Sequence, residues 1–389
     1  MPSTVTEFLP FHRPLIEENE IQAVTEVLRS GWITTGSKVK QFQEEFTKFV
    51  GARYAVAVSS GTAALHLALE AVGLKEGEEV VLPAMTFAAT AEVVTYFKAK
   101  PRLIDCEPRS FNIDPDQAEK AITAKTRAII PVHFAGHPCE MDRLLDIARS
   151  PDLTVVEDAA HALPARYKGR MVGTIGDITC FSFYATKTIT TGEGGMATTE
   201  NAEYADRIRI MSLHGISKDA WNRYSATGSW RYEILAAGYK YNLTDLQAAL
   251  GLAQLAKCEM MWRRREYLAE RYTRVLSSLD AFRIPPVLAD VQHAWHLYVI
   301  LVEPSVLRIH RDQVIEELRQ RGVGTSVHFI PLHHHPYYQD RWGYRPGQFP
   351  VADHYFERCI SLPIYAAMSD YDADHVLDCL NDIATKFRR

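Results

Sequence analysis

Short apolar runs alternate with helical segments over the first half of the chain. Two helical segments come first, from Pro14 to Gly31 and from Val39 to Gly51, with apolar residues at helical spacing. Strand-like runs follow at YAVAV (54–58), VVLP (80–83), PRLIDC (101–106), RAIIPVHF (127–134), TVVED (154–158) and ITCFSF (178–183). This alternation predicts a mainly parallel sheet between helices, a fold that binds ligands outside the carboxyl ends of its strands.

The second half of the chain predicts a long helix and a smaller unit. The stretch 243–275 is helical and rich in Arg and Glu after residue 262, as expected of a connection that leaves the sheet. A smaller α/β unit should then contain a strand WHLYVILV (295–302), a helix 311–321, a strand TSVHF (325–329) and a closing helix from about Tyr371. We therefore predict an α/β protein with a large domain at 1–250 and a connecting helix plus small domain at 251–389.

Composition excludes several classes of protein. The 389 residues are 47% hydrophobic, with a net charge of −5 and no block of basic residues, so we expect no nucleic-acid partner. The six cysteines form no C-x-x-C pair, which argues against structural zinc and a disulfide framework. The first residues lack the pattern of a secretory signal, and no apolar run reaches the ~18 residues of a membrane span. We expect a cytoplasmic protein without a membrane anchor.

The first motif with chemical content is SSGTAALHLAL, residues 59–69, directly after the strand YAVAV. Ser60, Gly61 and Thr62 at a strand-to-helix turn would let backbone N–H groups and hydroxyls approach an anion at the positive end of a helix. The alternative is an ordinary helix cap. Neither a Walker A nor a G-x-G-x-x-G pattern is present, which disfavours nucleoside triphosphates and dinucleotides.

The second motif is EDAAHA, residues 157–162, where a buried strand runs directly into two carboxylates and then His161. A carboxylate at the end of a buried strand is costly unless a cation or a hydrogen-bond donor meets it, and a protonated heterocyclic nitrogen would serve. Asp158 is the better candidate, but alternation alone leaves open whether Glu157 or Asp158 enters the site. Either carboxylate could also simply cap the next turn.

The third motif, FSFYATK with TTGEGG (181–195), places a lysine beside aromatic and small residues. Desolvation would lower the pKa of Lys187 and free its lone pair for Schiff-base chemistry. A lone lysine is usually a surface charge, so the argument depends on the phosphate cup, on Asp158 and on Ser182. Together these features meet the needs of pyridoxal 5′-phosphate: a phosphate grip, an anion for the pyridine nitrogen and an amine for the aldehyde.

These motifs, with SGWITTG (30–36), LHG (213–215), GYKYNLTDLQAALG (238–251), HAWHL (293–297) and VGTSVHF (323–329), resemble a known family. The chain is similar over nearly its whole length to the sugar aminotransferase branch of the fold-type I pyridoxal phosphate enzymes, the DegT/DnrJ/EryC1/StrS family. The resemblance is especially close to the aminotransferases that use oxoglutarate and UDP-4-amino-4-deoxy-L-arabinose.

The resemblance implies a role for each matching residue. Lys187 would bond to the cofactor's aldehyde, Asp158 would pair with the pyridinium, and His161 would hydrogen-bond the phenolic oxygen. The phosphate would be held by Ser60, Gly61, Thr62 and Ser182, and Phe87 would stack on the ring, although Phe87 is equally well a core aromatic. Many relatives read GYNYR where this chain reads GYKYN, so a second subunit would supply either Lys240 or Asn242, and a homodimer with shared sites is implied.

The resemblance also implies substrates. We expect glutamate as amino donor, leaving 2-oxoglutarate, and a nucleotide-linked 4-ketosugar, UDP-linked by preference, as acceptor. Thr35, His328 and Arg231 are the candidate substrate residues, with Arg223 also near the nucleotide. Because no arginine lies between Arg358 and Arg388, we expect weak, shared recognition of the glutamate carboxylate.

Three alternatives stay open. Two belong to the same family: a 3-ketosugar aminotransferase, and a sugar dehydratase, which would carry histidine in place of Lys187. The third is a cofactor-bound regulator, disfavoured by the lack of basic patches and of a helix-turn-helix extension. The histidines at 333–335 cannot all point one way on a strand and have no carboxylate pattern beside them, so we expect a solvated loop and no metal.

Overall fold

The structure, a computed structural model, describes residues 8–149, 153–217 and 232–389. Its strands are β1 (Tyr54–Val58), β2 (Glu79–Pro83), β3 (Lys100–Ile104), β4 (Thr126–Ile129), β5 (Thr154–Asp158), β6 (Arg166–Tyr167), β7 (Arg170–Met171), β8 (Ile178–Ser182), β9 (Gly195–Thr199), β10 (Phe282–Arg283), β11 (Val291–Gln292), β12 (Tyr298–Val302) and β13 (Cys359–Leu362). Its α-helices are α1 (Glu18–Ser30), α2 (Ser37–Val50), α3 (Gly61–Val72), α4 (Ala88–Tyr96), α5 (Pro115–Ala121), α6 (Met141–Arg149), α7 (Ala202–Met211), α8 (Asp245–Ala256), α9 (Cys258–Leu276), α10 (Arg311–Gln320), α11 (Pro336–Trp342), α12 (Pro350–Phe356) and α13 (Asp370–Lys386).

The large sheet has the strand order β1-β9-β8-β5-β4-β2-β3. The pairs from β8 through β5, β4 and β2 to β3 are parallel, and β9 is antiparallel to both β1 and β8. Both faces are apolar because successive side chains alternate: Val56 and Val58 lie in one core cluster, and Ala55 and Ala57 in another. The predicted α/β fold with a mainly parallel sheet between helices is confirmed.

A second, smaller sheet has the order β10-β12-β13 and packs with α9, α10 and α13 around a third apolar cluster. Along α13 the buried positions Val376, Leu377, Leu380 and Ile383 recur at helical spacing, which is why one face of this helix packs inward. The boundary at residue 250 stays a prediction. In the described part of the chain no helix has the length and apolar composition needed to cross a bilayer.

Two sequence predictions differ from the structure. The long helix of 243–275 is divided into α8 and α9 at Lys257, whose φ of −115° and ψ of 13° leave the helical region. The predicted strand TSVHF is wrong, since Ser326 and Ser361 form only an isolated bridge. Two residues further along, His328 contacts Ser361 through its side chain instead of its backbone, with Nδ1 2.9 Å from Ser361 Oγ.

Candidate active site

Most of the predicted functional residues surround one cavity at the carboxyl ends of β5 and β8, which we call the central cavity. Its volume is about 310 Å³. The sequence-predicted residues that line it are Ser60, Gly61, Thr62, Phe87, Asp158, His161, Ser182, Lys187 and His328. The topology explains this convergence, because strand ends and the first turn of α3 meet at one edge of the sheet.

The amino-terminal end of α3 forms one end of the cavity. Ser60 caps the helix by accepting a hydrogen bond from the Ala63 N–H at 3.0 Å. Two glycines keep the space open: a Cβ on Gly61 would lie 2.9 Å from Ser182 Cβ, and one on Gly195 would lie 2.3 Å from the Ser60 carbonyl oxygen. The exposed N–H groups and the positive helix end therefore offer a cradle that fits a phosphate.

Asp158 lies at the end of β5 and is 5% exposed. Its Oδ2 accepts a hydrogen bond from Thr90 Oγ1 at 2.7 Å, and its Oδ1 accepts one from the Ala160 N–H at 3.2 Å. Burial raises the pKa of this carboxyl although the two hydrogen bonds oppose the change. A cationic N–H group in the cavity would compensate the buried charge, so the site fits a protonated pyridine nitrogen.

Alternation along β5 left open whether Glu157 or Asp158 enters the site, and the position of Glu157 decides between them. It points to the opposite face of β5, where its Oε2 lies 2.9 Å from His133 Nε2 and its Oε1 accepts from Thr179 Oγ1 at 2.7 Å. The Cys139 N–H donates to His133 Nδ1 at 3.0 Å, so the ring carries its proton on Nε2 and is neutral. Burial opposes ionisation of Glu157, but these hydrogen bonds keep its pKa below the ordinary value. Asp158 alone of the two lines the cavity.

Lys187 follows β8 in a turn where its N–H donates to the Tyr184 carbonyl at 2.9 Å. Its side chain is half-buried at the cavity and makes no hydrogen bond within the described ranges. Burial lowers the pKa of the amine to about 8, the charge of Asp158 opposes that shift, and the charge of Arg265 adds to it. The neutral fraction of the amine near neutral pH is therefore far larger than for an ordinary lysine, as a nucleophile requires.

Three imidazoles that line the cavity lie near one another, and we call them the histidine wall: His161, His296 and His328. The ring centroids of His161 and His296 are 4.3 Å apart, and those of His161 and His328 are 6.5 Å apart. Burial is the main cause that lowers the pKa of all three, to about 4 for His328, and the charge of Lys187 adds to it. The wall is therefore neutral at neutral pH in the free protein.

Sequence reasoning gave His296 no role. It lies in the run WHLYVILV, which predicts a strand, and nothing in that pattern shows that the chain turns before β12. Trp295 has a positive φ of 51°, a conformation rare for a bulky residue, and the adjacent His296 side chain lines the central cavity. The sequence signal was the second histidine of HAWHL, noticed only as part of a resemblance.

Thr35, Lys240 and Asn242 come together at a different place. Asn242 Nδ2 donates to Thr35 Oγ1 at 2.7 Å, and Lys240 Nζ contacts Asn242 Oδ1. Asn242 also bridges to Val58 at the end of β1, and with Thr35 it lines a neighbouring groove of about 420 Å³. None of the three lines the central cavity of its own chain. The candidates Arg223 and Arg231 lie outside the described residues.

The expectation of a solvated loop at 333–335 is wrong. His333 is fully buried, and its Nε2 lies 2.7 Å from Asp353 Oδ1, while His334 Nε2 lies 2.5 Å from the same oxygen. The carboxylate that sequence reasoning missed comes from α12, 20 residues further along the chain. The three ligand atoms lie within 4.8 Å of one another. Ligands of a tetrahedral zinc stand about 3.3 Å apart, whereas the two histidine nitrogens lie only 2.7 Å and 2.5 Å from the Asp353 oxygen, which fits hydrogen bonds.

The comparisons with known proteins agree over nearly the whole chain. The sequence profile of the DegT/DnrJ/EryC1/StrS aminotransferase family matches residues 14–381. The spore coat polysaccharide biosynthesis protein SpsC of Bacillus subtilis is 51% identical over 377 residues, 97% of each chain. A sugar aminotransferase of Streptococcus pneumoniae in its PLP form is 35% identical with a TM-score of 0.91, over 97% of this chain and 99% of that one. Helicobacter pylori PseC, an aminotransferase involved in pseudoaminic acid biosynthesis, is 28% identical with a TM-score of 0.90, over 98% and 100%.

Proposed function

The chain belongs to the DegT/DnrJ/EryC1/StrS aminotransferase family, whose members depend on pyridoxal phosphate, and on that premise we propose a reaction. The protein transfers an amino group from glutamate to the 4-keto carbon of a nucleotide-linked sugar, with UDP as the preferred nucleotide. The observation that carries the proposal is the meeting of Lys187, Asp158 and the amino-terminal end of α3 around one cavity.

The described residues offer a partner for each part of the cofactor. The α3 cradle with Ser60, Gly61, Thr62 and Ser182 would hold the phosphate, and Asp158 would hold the pyridine nitrogen protonated. His161 would serve the phenolic oxygen. Phe87 is 61% exposed at the cavity, which makes its ring available for stacking. Among the described residues that line the cavity, Lys187 is the one amine for the aldehyde.

When bound, the cofactor supplies an electron sink for the carbon that loses its proton. Lys187 would be the acid–base group: its neutral Nζ would accept the proton from the donor's Cα, and the resulting ammonium would hold that proton at the site for its return. Asp158, fixed by Thr90 and by the Ala160 N–H, would keep a bound pyridine nitrogen protonated. The ketosugar then uses the same residues in the opposite direction, so the two substrates take turns at one site.

We further propose that the active unit is a homodimer in which Lys240 or Asn242 of a second copy completes the phosphate site. Two observations support this. The cluster of Thr35, Lys240 and Asn242 lies outside its own chain's central cavity. Large apolar side chains are exposed both beside the cavity and beside that cluster: Tyr184 47%, Trp32 41% and Ile33 49%. Exposed apolar surface of this kind is typical of a contact with another chain.

Lys187 disfavours two of the three alternatives. A dehydratase would lack Lys187, and a regulator would need no amine of lowered pKa at the cavity, whereas a 3-ketosugar aminotransferase would use the same lysine. The similarity to a polysaccharide biosynthesis protein supports an amino-sugar precursor as the product class. We place the reaction in the cytoplasm, since all six cysteines are buried free thiols.

The test is direct. Purified protein with pyridoxal phosphate and glutamate is incubated with UDP-linked and dTDP-linked 4-ketosugars, and 2-oxoglutarate and the mass of the sugar nucleotide are measured. We expect both products with at least one sugar and neither with Lys187→Ala. Efficient exchange between two ordinary amino acids with no sugar turned over would contradict the sugar assignment.

A further inference from the structure

The histidine wall carries unused hydrogen-bonding capacity. His296 is 5% exposed and His161 8%, and the Nδ1 atom of each is buried without a partner. Among the described residues, the Nε2 atoms of His161, His296 and His328 also make no hydrogen bond, whereas His328 Nδ1 is held by Ser361. Because these three rings line the central cavity, a polar ligand there can form hydrogen bonds with Nε2 atoms that have no partner in the described residues.

A buried cation stands directly behind this wall. Arg265 of α9 is 2% exposed, and its NH1 donates to the carbonyls of Trp295 and His296 at 3.3 Å and of Ile364 at 2.7 Å. Its Nε has no partner, and no carboxylate pairs with it in the described ranges. A buried guanidinium bound only to carbonyls leaves its positive charge uncompensated, so the wall favours an anion.

The cavity itself offers little else to an anion beyond the cofactor's phosphate. Lys187 is its one fixed cation among the lining residues that the structure describes, and no arginine lines it. Within the described ranges, a carboxylate would therefore find its donors on the wall. An imidazole is well suited to this task because a neutral ring both donates and accepts hydrogen bonds. The same nitrogens could serve a carboxylate in one half-reaction and sugar hydroxyls in the other.

We propose that His296 and His328, with Arg265 behind them, form the subsite for a carboxylate of the amino donor. This rests on the proposed function, since only an amino-acid donor brings a carboxylate to the cavity. In this subsite, neutral histidines contact the carboxylate in place of an arginine. An arginine there would keep its positive charge in the cavity when the uncharged ketosugar enters. His161 remains with the cofactor.

The experiment compares two probes of the same shape. Glutarate carries two carboxylates and glutaramide carries two neutral amides, and calorimetry measures the affinity of the cofactor-loaded protein for each. We expect glutarate to bind at least about tenfold more tightly, the usual strength of hydrogen bonds to a charged group. An equal or reversed preference overturns the proposal without any variant.

Variants then locate the subsite. His296→Leu and His328→Leu should each weaken glutarate binding at least about tenfold and bring it toward that of glutaramide, with partial rescue by glutamine. His137→Gln, a buried histidine that does not line the cavity, is the matched control and should leave both affinities unchanged. Thermal unfolding verifies that each variant is folded. Wild-type glutarate affinity in both folded leucine variants overturns the assignment.

The two proposals fail in different ways. In one outcome, glutamate does not abolish the visible absorbance of the wild-type holoenzyme, but glutarate affinity still depends on the histidine wall. The subsite is then supported, and glutamate is the wrong donor. In the other outcome, glutamate abolishes that absorbance, but substitution of His296 and His328 does not change glutarate affinity. The proposed reaction is then supported, and the carboxylate binds elsewhere.

Discussion

The two sides of the central cavity are built on different principles. On the sheet side, Asp158 ends a buried strand with both oxygens hydrogen-bonded, and Ser60 caps α3. At the histidine wall, His296 and His328 lie outside regular structure, and each has a ring nitrogen without a partner among the described residues. A rigid side suits a cofactor that stays in place, while a side with free donors and acceptors suits two substrates that alternate.

The sheet side and the histidine wall also differ in the sign of the buried charge near them. The sheet side contributes a buried carboxylate, and the histidine wall has a buried guanidinium behind it. The charge of Asp158 raises the pKa of Lys187, and the charge of Arg265 lowers it. The comparison therefore predicts that substitutions on the sheet side damage the chemistry itself, whereas those on the wall change which ligand binds.

The largest expected effect comes from Lys187→Ala. The variant should lose the visible absorbance of the cofactor–lysine adduct, and turnover should fall by at least about 10²–10⁴-fold, the usual contribution of a positioned acid–base group. The fold should survive, since the half-buried side chain makes no hydrogen bond in the described part of the chain. Borohydride trapping with peptide mapping measures the adduct, with Lys168→Ala as a surface control. A reducible adduct that persists would assign the bond to another lysine.

The sheet side was predictable from the sequence because its residues follow strands directly. Asp158 and Lys187 were found at the ends of apolar runs, where parallel strands place ligand groups. His296 and Arg265 were not found, because their role depends on a turn at Trp295 and on the packing of α9, and neither leaves a periodic signal. The pairing of His333 with Asp353 was missed for the same reason: the partners meet only in the folded chain.

Asp158 and Glu157 test whether the two faces of one strand have separate roles. Asp158→Ala should still bind the cofactor but lower turnover by roughly 10²–10³-fold, as expected for loss of a preorganised charge. Glu157→Gln should instead place an amide N–H group against His133 Nε2 and reduce the free energy of unfolding by about 1–3 kcal/mol. Single-turnover kinetics and denaturant unfolding measure the two effects. Near-normal turnover in Asp158→Ala would contradict its role.

A mixing experiment tests the shared site. Asn242→Ala and Lys187→Ala proteins are each expected to be impaired, but in a mixed dimer one site carries both changes and the other neither. Random exchange of equal amounts should therefore restore about a quarter of wild-type sites in a twofold dimer. Activity after verified subunit exchange is the measurement, with Lys240→Ala tested in the same way. No recovery for either residue would place both partners in one chain's site.

The smallest expected effect is a shift in the pKa of Lys187, which tests whether the charges of Asp158 and Arg265 act on this amine in opposite directions. Because the pKa of Lys187 is lowered from 10.5 to about 8, the protonated fraction in the apoprotein should fall as pH rises through about 8, and the rate of acylation by acetic anhydride should rise and then level off. Asp158→Asn removes a charge that raises this pKa, so the midpoint should move down. Arg265→Met removes a charge that lowers it, so the midpoint should move up. Peptide mapping of Lys187 acylation against pH gives the midpoint for the wild type and for each of the two variants. Midpoints that shift in the same direction in both variants would contradict the opposite effects of the two charges.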